Sequence, residues 1–465
     1  METTSDAGSI VKSQANIVYI FNMSEDVWPF IQAMNDPAAR TREIEENADL
    51  GDRDLFSFCG EENMIFVLSE KVSTEFYEYF ETVFGKRNFQ ILVPKHHSGI
   101  ICEDIIADKA VYNALVIAAN GQKRLALKSY STSQPFLNLV RKLRSEGLTI
   151  TTPDAPEEED AWTVNFYGSK SGIRQLAGQS RAIEPDFVMP EGVVASGIID
   201  ASRIAANKYI KDHGVVIKTN KGHSGMGVLL FKEGDLPNDF VSCQQQILTH
   251  LEKDAYWNQF PIVIESFISI NSAIAGGSPN VEFHIAKNGH VEILFYGGMR
   301  MTAEGSFRGM EIHNDVISDQ LAARMVDTGF FIAEQYRANG YRGYFDIDFV
   351  ASKNGQLYVT ESNVRRTGGT HVSAVAEQLF GKDFMYLTYI LSNNSYLLPQ
   401  GSSFTFSTAR ERLGPVLFTK EKREGVIIIS ENLFAYNLLA YVIFGTNKKR
   451  AYEIEAEMEA LLRQV

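Results

Sequence analysis

Four polar side chains have the types and spacing of a metal site. Two strand-type runs, GYFDIDFVAS and QLYVTESNV, flank the dipeptide Asn354-Gly355. Asn-Gly favours a two-residue hairpin turn, because both residues accept positive φ. Such a turn places Asp348 opposite Glu361 and Asp346 opposite Asn363. Strand side chains alternate between the two faces of a sheet, so we expect these four side chains on one face of the hairpin.

Acidic side chains directly opposite each other on neighbouring strands repel, because their Cβ atoms are only about 5 Å apart. A hard cation removes this repulsion. Carboxylate and carboxamide oxygens suit Mg²⁺, which shares its coordination shell with waters and substrate phosphates. We therefore predict that Asp348, Glu361 and Asn363 bind metal, while Asp346 has no assigned role. The repulsion also predicts that Glu361→Gln slightly stabilises the metal-free protein. The alternative is a solvated hairpin with scattered acids.

An arginine extends this pattern. The order Asp348, then Glu361-Ser-Asn363-Val-Arg365 resembles the metal-binding hairpin of ATP-grasp enzymes, which has an Asp on one strand and Glu-x-Asn-x-Arg on the next. The resemblance implies ATP and Mg²⁺ as cofactors, with Mn²⁺ as an alternative metal. It also implies that Arg365 stabilises an oxyanion during catalysis.

Composition indicates a soluble globular protein of several domains. The chain has 465 residues, of which 45% are hydrophobic and 22% charged. The net charge of −14 argues against nucleic-acid binding, which a basic surface would favour. Its three cysteines have no metal or redox spacing, which predicts a reducing compartment. The polar start has no signal-peptide region, and the longest apolar region, 425–445, is interrupted by polar residues. We therefore expect a cytoplasmic protein that does not bind membranes.

The first third of the chain predicts a parallel α/β sheet. Apolar runs at 16–21, 64–68 and 89–93 alternate with helical patterns, which is typical of parallel sheets. No GxGxxG follows the first run, so nothing supports a dinucleotide-binding fold. Residues 1–160 are similar to a pre-ATP-grasp domain. They end in a segment rich in proline and acids at 153–160, which predicts a linker.

The rest of the chain is predicted to form two more domains, so that the fold class is α/β with an α+β grasp. The resemblance implies a two-part ATP-grasp domain with antiparallel sheets at 161–400, whose lid subdomain covers about 200–265. A small C-terminal α/β domain is predicted at 401–465. Within it, apolar runs predict a strand at 426–430 and a helix at 435–444.

Two lysines and a glycine-rich loop are candidates for binding phosphate. Lys170 opens a helix that Ser169 can cap, and Lys218 lies on a predicted strand. Glycine backbones can approach phosphate oxygens closely. The strand–loop–strand order does not fit the mononucleotide P-loop, which needs a helix after the loop. The arrangement instead resembles the ATP-grasp phosphate lid, whose loop here consists of Gly222, His223, Ser224, Gly225, Met226 and Gly227. The alternatives are a solvated lysine at 170 and a simple glycine-rich turn.

An apolar strand, PIVIESFI, is interrupted by Glu265. By the resemblance this strand is the adenine hinge. Glu265 would accept a hydrogen bond from the exocyclic amine, and the backbone of Ser266, Phe267 and Ile268 would pair with the ring edge. In many family members a second glutamate follows and binds ribose. Glu282 is the candidate here, although the insertion NSAIAGGSPN breaks the usual spacing.

A glycine-rich stretch at 297–314 has little periodicity and is predicted to be a loop. Arg300 and Arg308 are its only arginines, and arginine forks suit carboxylate or phosphate. Loops on a rigid scaffold often carry function, so both arginines are predicted to contact substrate or acyl phosphate. The alternative is a solvated loop. Arg366 and His371 follow the metal hairpin, and no role is assigned to them.

Together with the resemblance, these residues predict an ATP-dependent carboxylate–amine ligase that works through an acyl phosphate. The C-terminal piece and the segments EGSFRG and NVRRTGGTH resemble the pheganomycin-type peptide ligases. That resemblance implies a small carboxylic acid and an amino-acid or peptide amine as substrates, in natural-product biosynthesis, with a homodimer left open. Two alternatives remain. One is an ATP-grasp phosphotransferase with His223 or His371 as the phosphorylated residue, and the other is a non-catalytic nucleotide-binding sensor.

Overall fold

The N-terminal part of the protein is a five-stranded parallel sheet with helices on it. The computed structural model describes residues 16–119, 124–222, 227–302 and 305–463. The strand order β3-β2-β1-β4-β5, with every pair parallel, confirms the predicted α/β layer. The strands are β1 (Asn16–Ile20), β2 (Asn63–Val67), β3 (Asn88–Leu92), β4 (Arg124–Ser129) and β5 (Thr149–Thr151). The helices are α1 (Met23–Asp26), α2 (Trp28–Gln32), α3 (Pro37–Asp49), α4 (Thr74–Phe84), α5 (Ile101–Ala107), α6 (Lys109–Ala118) and α7 (Gln134–Ser145), with a 3₁₀ helix at Asp52–Phe58.

A four-stranded antiparallel sheet lies in the region where the lid is predicted, in the order β6-β9-β7-β8, and we call it the lid sheet after that prediction. Ile217 and Ile264 on one face are fully buried against the lid helices. Because strand side chains alternate, the neighbouring Lys218 and Glu265 lie on the opposite face. The strands are β6 (Gly192–Ala195), β7 (Gly214–Thr219), β8 (Val228–Lys232) and β9 (Ile262–Ser266). The helices of this region are α8 (Trp162–Tyr167), α9 (Lys170–Ser180), α10 (Ile198–Asp212), α11 (Phe240–Leu251) and α12 (Tyr256–Gln259).

An eight-stranded antiparallel sheet occupies the centre, in the order β14-β13-β10-β11-β12-β15-β17-β16. Its strands are β10 (Pro279–Ile285), β11 (Val291–Met301), β12 (Phe307–Ile312), β13 (Gly343–Ala351), β14 (Leu357–Asn363), β15 (Tyr389–Leu397), β16 (Gly425–Ile428) and β17 (Leu438–Gly445). The helices are α13 (Asp319–Ala338), α14 (Thr370–Phe380), α15 (Phe384–Leu387), α16 (Phe406–Leu413) and α17 (Lys448–Arg463). The antiparallel sheets and the parallel N-terminal layer confirm the predicted fold class.

The C-terminal segment is part of the central sheet, whereas the sequence predicts a separate small domain there. β17 lies between β15 and β16 in that sheet. The helix predicted at 435–444 is wrong, because the run LLAYVIFG forms β17. A continuous apolar run has no periodicity that distinguishes a buried strand from a buried helix. Phe406 also packs on Phe76 of the N-terminal domain, with 5.0 Å between ring centroids, so this segment joins the two domains.

The loop predicted at 297–314 is also wrong, because most of this stretch belongs to β11 and β12. Its glycines are required by close backbone approach. A Cβ at Gly297 would lie 2.4 Å from the carbonyl oxygen of Glu311, and one at Gly309 would lie 2.1 Å from that of Ser392. The glycines that suggested a loop are therefore needed because neighbouring strands leave no room for a side chain at these positions.

The hairpin of β13 and β14, which carries the predicted metal ligands and which we call the metal-type hairpin, has a different turn from the one predicted. The strands nevertheless pair in the predicted register at Asp348. The Ser352 N–H donates to the Gln356 carbonyl at 2.9 Å and the Gly355 N–H to the Ser352 carbonyl at 2.9 Å, so the loop has three residues instead of two. Gly355 has φ of +81°. An irregularity after Asp348 shifts the pairing by one residue and returns Asp348 to its place opposite Glu361.

The acidic segment at 153–160 is packed against the protein, in contrast to the predicted linker. The side chain of Asp154 is only 4% exposed and accepts hydrogen bonds from Arg366 at 3.0 Å and His284 at 3.2 Å. The segment therefore joins the N-terminal domain to the central sheet. Within the four described stretches of chain, no helix has the length and apolarity needed to cross a membrane.

Candidate active site

Three adjacent strands bring polar side chains together on one face of the central sheet. Asp346 lies opposite Asn363 and Asp348 lies opposite Glu361, as the sequence predicts. On the other side of β13, Asn280 of β10 lies opposite Asp348. The reverse face of β13 carries Phe345, Ile347 and Phe349, which are at most 3% exposed and lie in the predicted core.

Two carboxamides connect the acids of this cluster. Asn280 Nδ2 donates to Asp348 at 2.7 Å and to Asp346 at 3.1 Å. Asn363 Nδ2 donates to Asp346 at 2.9 Å and to Asp348 at 3.2 Å. Sequence reasoning missed Asn280. The alternating Asn-x-Glu of β10, which repeats the Asp-x-Asp spacing of β13, is the signal that could have identified it.

The carboxylates of the cluster destabilise one another when all are charged. Burial, followed by the charges of Asp346 and Glu361, raises the pKa of Asp348 well above its usual value. Burial raises the pKa of Asp346 to about 6. The side-chain amides of Asn280 and Asn363 therefore do not compensate the buried negative charge. A bound cation would compensate it, because it carries a full positive charge.

The oxygen donors of Asp348, Glu361 and Asn363 fit Mg²⁺, which prefers carboxylate and carbonyl oxygens. Across the described residues, no group of three or more His, Cys, Asp or Glu side chains is already arranged to hold a metal. The reason lies in the cluster itself, because Asn363 is an amide and Glu361 is turned towards a lysine. The donor types suit the metal, and its binding would require Glu361 to move away from that lysine.

Lys170 forms a short ion pair with Glu361. Its Nζ lies 2.6 Å from Glu361 Oε2, and its side chain is only 10% exposed. Burial opposes the charge of Glu361, but the lysine charges of Lys170 and Lys218 outweigh it and hold its pKa at about 2. Ser169 caps helix α9, as predicted, by accepting from the Gly172 N–H. Since Glu361 is already neutralised, the predicted stabilisation by Glu361→Gln does not apply to this structure.

The second lysine belongs to the lid sheet. Lys218 Nζ lies 2.8 Å from Glu265 Oε2, and Arg174 Nη2 lies 2.5 Å from Glu265 Oε1. Glu265 is 2% exposed. Both of its oxygens therefore bind cations, which gives this carboxylate a role in placing Lys218 that the sequence did not indicate. Its predicted contact with adenine remains a prediction.

The predicted phosphate loop connects β7 and β8. Gly222 lines the cavity described below, and Gly227 has φ of +78°. His223, Ser224, Gly225 and Met226 lie outside the described residues. In the predicted hinge, Ser266 ends β9, while Phe267 and Ile268 follow it and are half-buried.

Arg365 connects the cluster to the N-terminal domain. Its Nε donates to Asp26 at 3.0 Å, its Nη2 to Asn363 at 3.3 Å and its Nη1 to the Tyr130 hydroxyl at 3.4 Å. The guanidinium is thus fixed beside a predicted metal ligand. Asp26 was missed in the sequence. It lies just beyond the carboxyl end of β1, and ligands of parallel sheets commonly bind at such ends.

These groups surround one small cavity of about 30 Å³, which is space for roughly one water molecule. We call it the central cavity. It is lined by Asp26, Val27, Val164, Gly168, Lys170, Lys221, Gly222 and residues 361–365. The N-terminal domain, the start of α9, the lid loop and the metal-type hairpin therefore all meet at one place.

Three further predicted site residues are Arg300, Arg308 and Glu282. Arg300 binds Glu455 through two nitrogens at 2.7 and 2.9 Å. Arg308 lies exposed on β12. Glu282 does lie opposite Asp346, but it is fully buried. Both of its oxygens accept from threonine hydroxyls, and burial raises its pKa to about 8. Both oxygens of Glu282 and both terminal nitrogens of Arg300 are therefore occupied by protein partners in this structure, and their predicted contacts with ribose and substrate remain predictions.

Arg366 and His371 are both buried and pack against other parts of the protein. Arg366 is 2% exposed, stacks on Tyr344 at 3.9 Å from the ring centroid and pairs with Asp154. His371 is fully buried at the start of α14, and burial lowers its pKa well below the usual value. The two residues hold the loop after β14 between the domains.

No protein-family model matches the chain, and comparison with curated protein sequences gives no significant match. Solved structures do resemble it. A biotin carboxylase from Campylobacter jejuni in complex with an ATP analogue is 12% identical, with a TM-score of 0.57 over 95% of this chain and 90% of that one. An N5-carboxyaminoimidazole synthetase from Staphylococcus aureus with ADP is 9% identical, with a TM-score of 0.51 over 96% of this chain and 97% of that one.

A third structure is the biotin carboxylase domain of a 2-oxoglutarate carboxylase from Hydrogenobacter thermophilus, a dimer in complex with MgADP, ADP and bicarbonate. It is 12% identical, with a TM-score of 0.50 over 93% of this chain and 86% of that one. At these identities the likeness concerns architecture. The chain shares the fold of these biotin carboxylases and of the N5-carboxyaminoimidazole synthetase over nearly its whole length.

Proposed function

We propose that this protein is an ATP-dependent ligase that activates a carboxylate as an acyl phosphate and transfers the acyl group to an amine. One observation carries the proposal. Lys170 Nζ lies 2.6 Å from Glu361 Oε2, on the hairpin that presents Asp348 opposite Glu361, and Arg365 follows this hairpin and lines the same cavity. Two cations and an acidic cluster around one hairpin are the parts that phosphoryl transfer needs.

ATP would bind between the lid and the central sheet. Lys170, Lys218 and the loop 222–227 would contact its phosphates, and the backbone from Ser266 to Ile268 would contact adenine. The similar structures from S. aureus and H. thermophilus contain ADP and MgADP. The Lys170–Glu361 pair would open on binding, because phosphate competes for the lysine and a metal competes for the carboxylate.

Asp348, Glu361 and Asn363 would hold Mg²⁺, with Mn²⁺ as an alternative. Bound there, a divalent ion supplies neutralisation of phosphate charge during transfer. Asp346 lies within hydrogen-bonding distance of Asn363 and would fix the orientation of that ligand.

The chemistry proceeds in two displacements. A carboxylate oxygen of the substrate attacks the γ-phosphorus of ATP, and ADP leaves. The amine nitrogen then attacks the acyl carbon, and the carbon–oxygen bond to phosphate breaks. Arg365, held by Asp26 and Asn363 at 3.0 and 3.3 Å, would stabilise the negative oxygen of the tetrahedral intermediate.

For the substrates, we propose an amino-acid-like acid and the amino group of an amino acid or short peptide. This finer proposal is supported by the resemblance of the NVRRTGGTH segment to peptide ligases and by the anchored Arg365-Arg366 beside two glycines. Bicarbonate is the second candidate acid, because it is present in one of the similar structures. A cytoplasmic location and a role in natural-product biosynthesis remain part of the proposal.

The test is ADP release from the full-length protein with ATP, Mg²⁺ and pools of acids and amines, with bicarbonate among the acids. We expect release that requires both an acid and an amine, and a product whose mass equals their sum minus water. Asp348→Asn should abolish release, while Asp327→Asn, at an exposed position of α13, should not.

Other outcomes would support the alternatives. A phosphorylated product without an amide would indicate a phosphotransferase. Nucleotide binding without ADP release under any combination would indicate a sensor. The complete burial of His371 argues against it as a phosphoryl acceptor.

A further inference from the structure

The second wall of the central cavity comes from the N-terminal domain, and it carries one acid. Asp26 ends α1 and follows β1 after a short turn, so the parallel sheet delivers its carboxylate to the cavity. Its side chain is 18% exposed. Val27 is the other residue of this domain in the lining.

One oxygen of Asp26 has a partner. Oδ2 accepts from Arg365 Nε at 3.0 Å. Within the described residues, Oδ1 has neither a hydrogen bond nor an ion pair. The carboxylate is therefore held in one orientation by Arg365 and retains an acceptor for something else.

The charges around the cavity indicate what that partner is. Lys170, Lys221 and Arg365 line it as cations, and the remaining acid of the lining, Glu361, is neutralised by Lys170 at 2.6 Å. Such a cavity suits phosphate but repels an ammonium ion. An amine substrate is largely protonated at neutral pH, so its approach requires a carboxylate oxygen that is not already paired with a cation. Asp26 meets this condition through Oδ1, because its ion pair with Arg365 uses Oδ2, whereas Glu361 is a proposed metal ligand.

We propose that Asp26 binds the ammonium group of the acceptor amine and takes a proton from it. This inference rests on the proposed ligase function and identifies the acceptor as a cationic amine. It places the acceptor nitrogen beside Arg365, which is where the acyl carbon must lie if Arg365 binds the oxyanion.

The reaction requires a group that accepts a proton from the ammonium nitrogen. A primary ammonium has three protons on nitrogen and the amide product has one. One proton passes to Asp26 Oδ1 and then to water, which frees the nitrogen lone pair. The nitrogen–carbon bond forms, the carbon–oxygen bond to phosphate breaks, and the phosphate leaves with the second proton as hydrogen phosphate.

The test compares two acceptors in Asp26→Asn, which keeps an oxygen for Arg365 Nε and removes the charge. Hydroxylamine is mostly uncharged at neutral pH and needs no ammonium site, whereas the amino group of triglycine is largely protonated. Each is given to the full-length protein with ATP, Mg²⁺ and a pool of proteinogenic amino acids as donors. Hydroxamate and amide are measured separately. Glu45→Gln, at an exposed position of α3, is the control for net charge.

We expect Asp26→Asn to lower amide formation by about 100-fold or more, the typical value of a proton-transfer group, and hydroxamate formation far less. Asp26→Glu should recover part of the amide activity. Raising the pH should also partly restore amide formation in Asp26→Asn, because more of the amine is then uncharged.

Equal losses with both acceptors would overturn the inference, because Asp26 would then act only by holding Arg365. Unchanged amide formation would overturn it as well. If the unaltered protein forms neither hydroxamate nor amide, the ligase proposal itself fails. Melting temperatures of the variants separate any loss of folding from these outcomes.

Discussion

Neutralising Asp348 should stabilise the protein in the absence of metal. Asn363 Nδ2 donates to Asp346 at 2.9 Å and to Asp348 at 3.2 Å, so the two carboxylate oxygens are at most about 6 Å apart. Two charges at that distance repel by about 3 kcal/mol at an effective dielectric constant of about 20. Asp348→Asn removes this repulsion and keeps an oxygen for one of the two amide donors, Asn280 and Asn363, but loses the charge-assisted hydrogen bond from the other, worth about 1.5–3 kcal/mol. We expect a net gain of up to about 1.5 kcal/mol at pH 8.

The gain should depend on pH with a defined sign. The pKa values of Asp346, at about 6, and of Asp348 are raised in the folded protein. A carboxyl with a raised folded pKa loses stability as the pH rises from its unfolded value, near 4, through its folded value. The advantage of Asp348→Asn should therefore be smaller at pH 5 than at pH 8.

The assay is thermal unfolding in EDTA at both pH values, and then with Mg²⁺. The unaltered protein should be stabilised by Mg²⁺, and Asp348→Asn should lose that response, because it lacks a ligand charge. Asp327→Asn should behave like the unaltered protein. The repulsion argument would be refuted if Asp348→Asn were less stable than the unaltered protein at pH 8. It would also be refuted if the gain in stability were the same at pH 5 and pH 8.

Three further predictions concern single residues. Lys218→Ala should weaken ATP binding at least about 10-fold by calorimetry, since a charge-assisted contact contributes about 1.5–3 kcal/mol, while Lys211→Ala, at an exposed lid position, should not. Equal affinities would remove Lys218 from the phosphates. Arg300→Ala should lower the melting temperature, because it leaves Glu455 without its bidentate partner, and should leave ATP affinity unchanged; a selective loss of affinity would restore its predicted substrate role. Glu361→Gln should abolish Mg²⁺-dependent ADP release without stabilising the metal-free protein, and retained release at ordinary Mg²⁺ concentrations would contradict the metal assignment.

The sequence determined the local geometry of the metal-type hairpin. Alternation of side chains along two strands places Asp348 and Glu361 on one face, while Ile347 lies on the reverse face and is buried. This result holds even though the turn has three residues, because an irregularity after Asp348 compensates. The cap of α9 by Ser169 was also predictable from local sequence, since a cap depends only on residues three positions apart.

Long apolar runs were less informative, because they lack periodicity. The run that forms β17 has the composition of any buried segment, and its identity as a strand follows from its pairing with β15 and β16 on either side. The glycines at 297 and 309 suggested a loop in the sequence, whereas their cause is the crowding of backbone between strands.

Only the tertiary structure decided which charges meet. Lys170 and Glu361 are separated by 191 positions in the chain, and Asp26 and Arg365 by 339, yet each pair lies within 3.0 Å. Arg300 has the same side chain as Arg365, but its guanidinium donates a hydrogen bond to Glu455 of the C-terminal helix. Residue type and local spacing determine what a side chain can bind, while its actual partner depends on contacts between distant parts of the chain that no local pattern records.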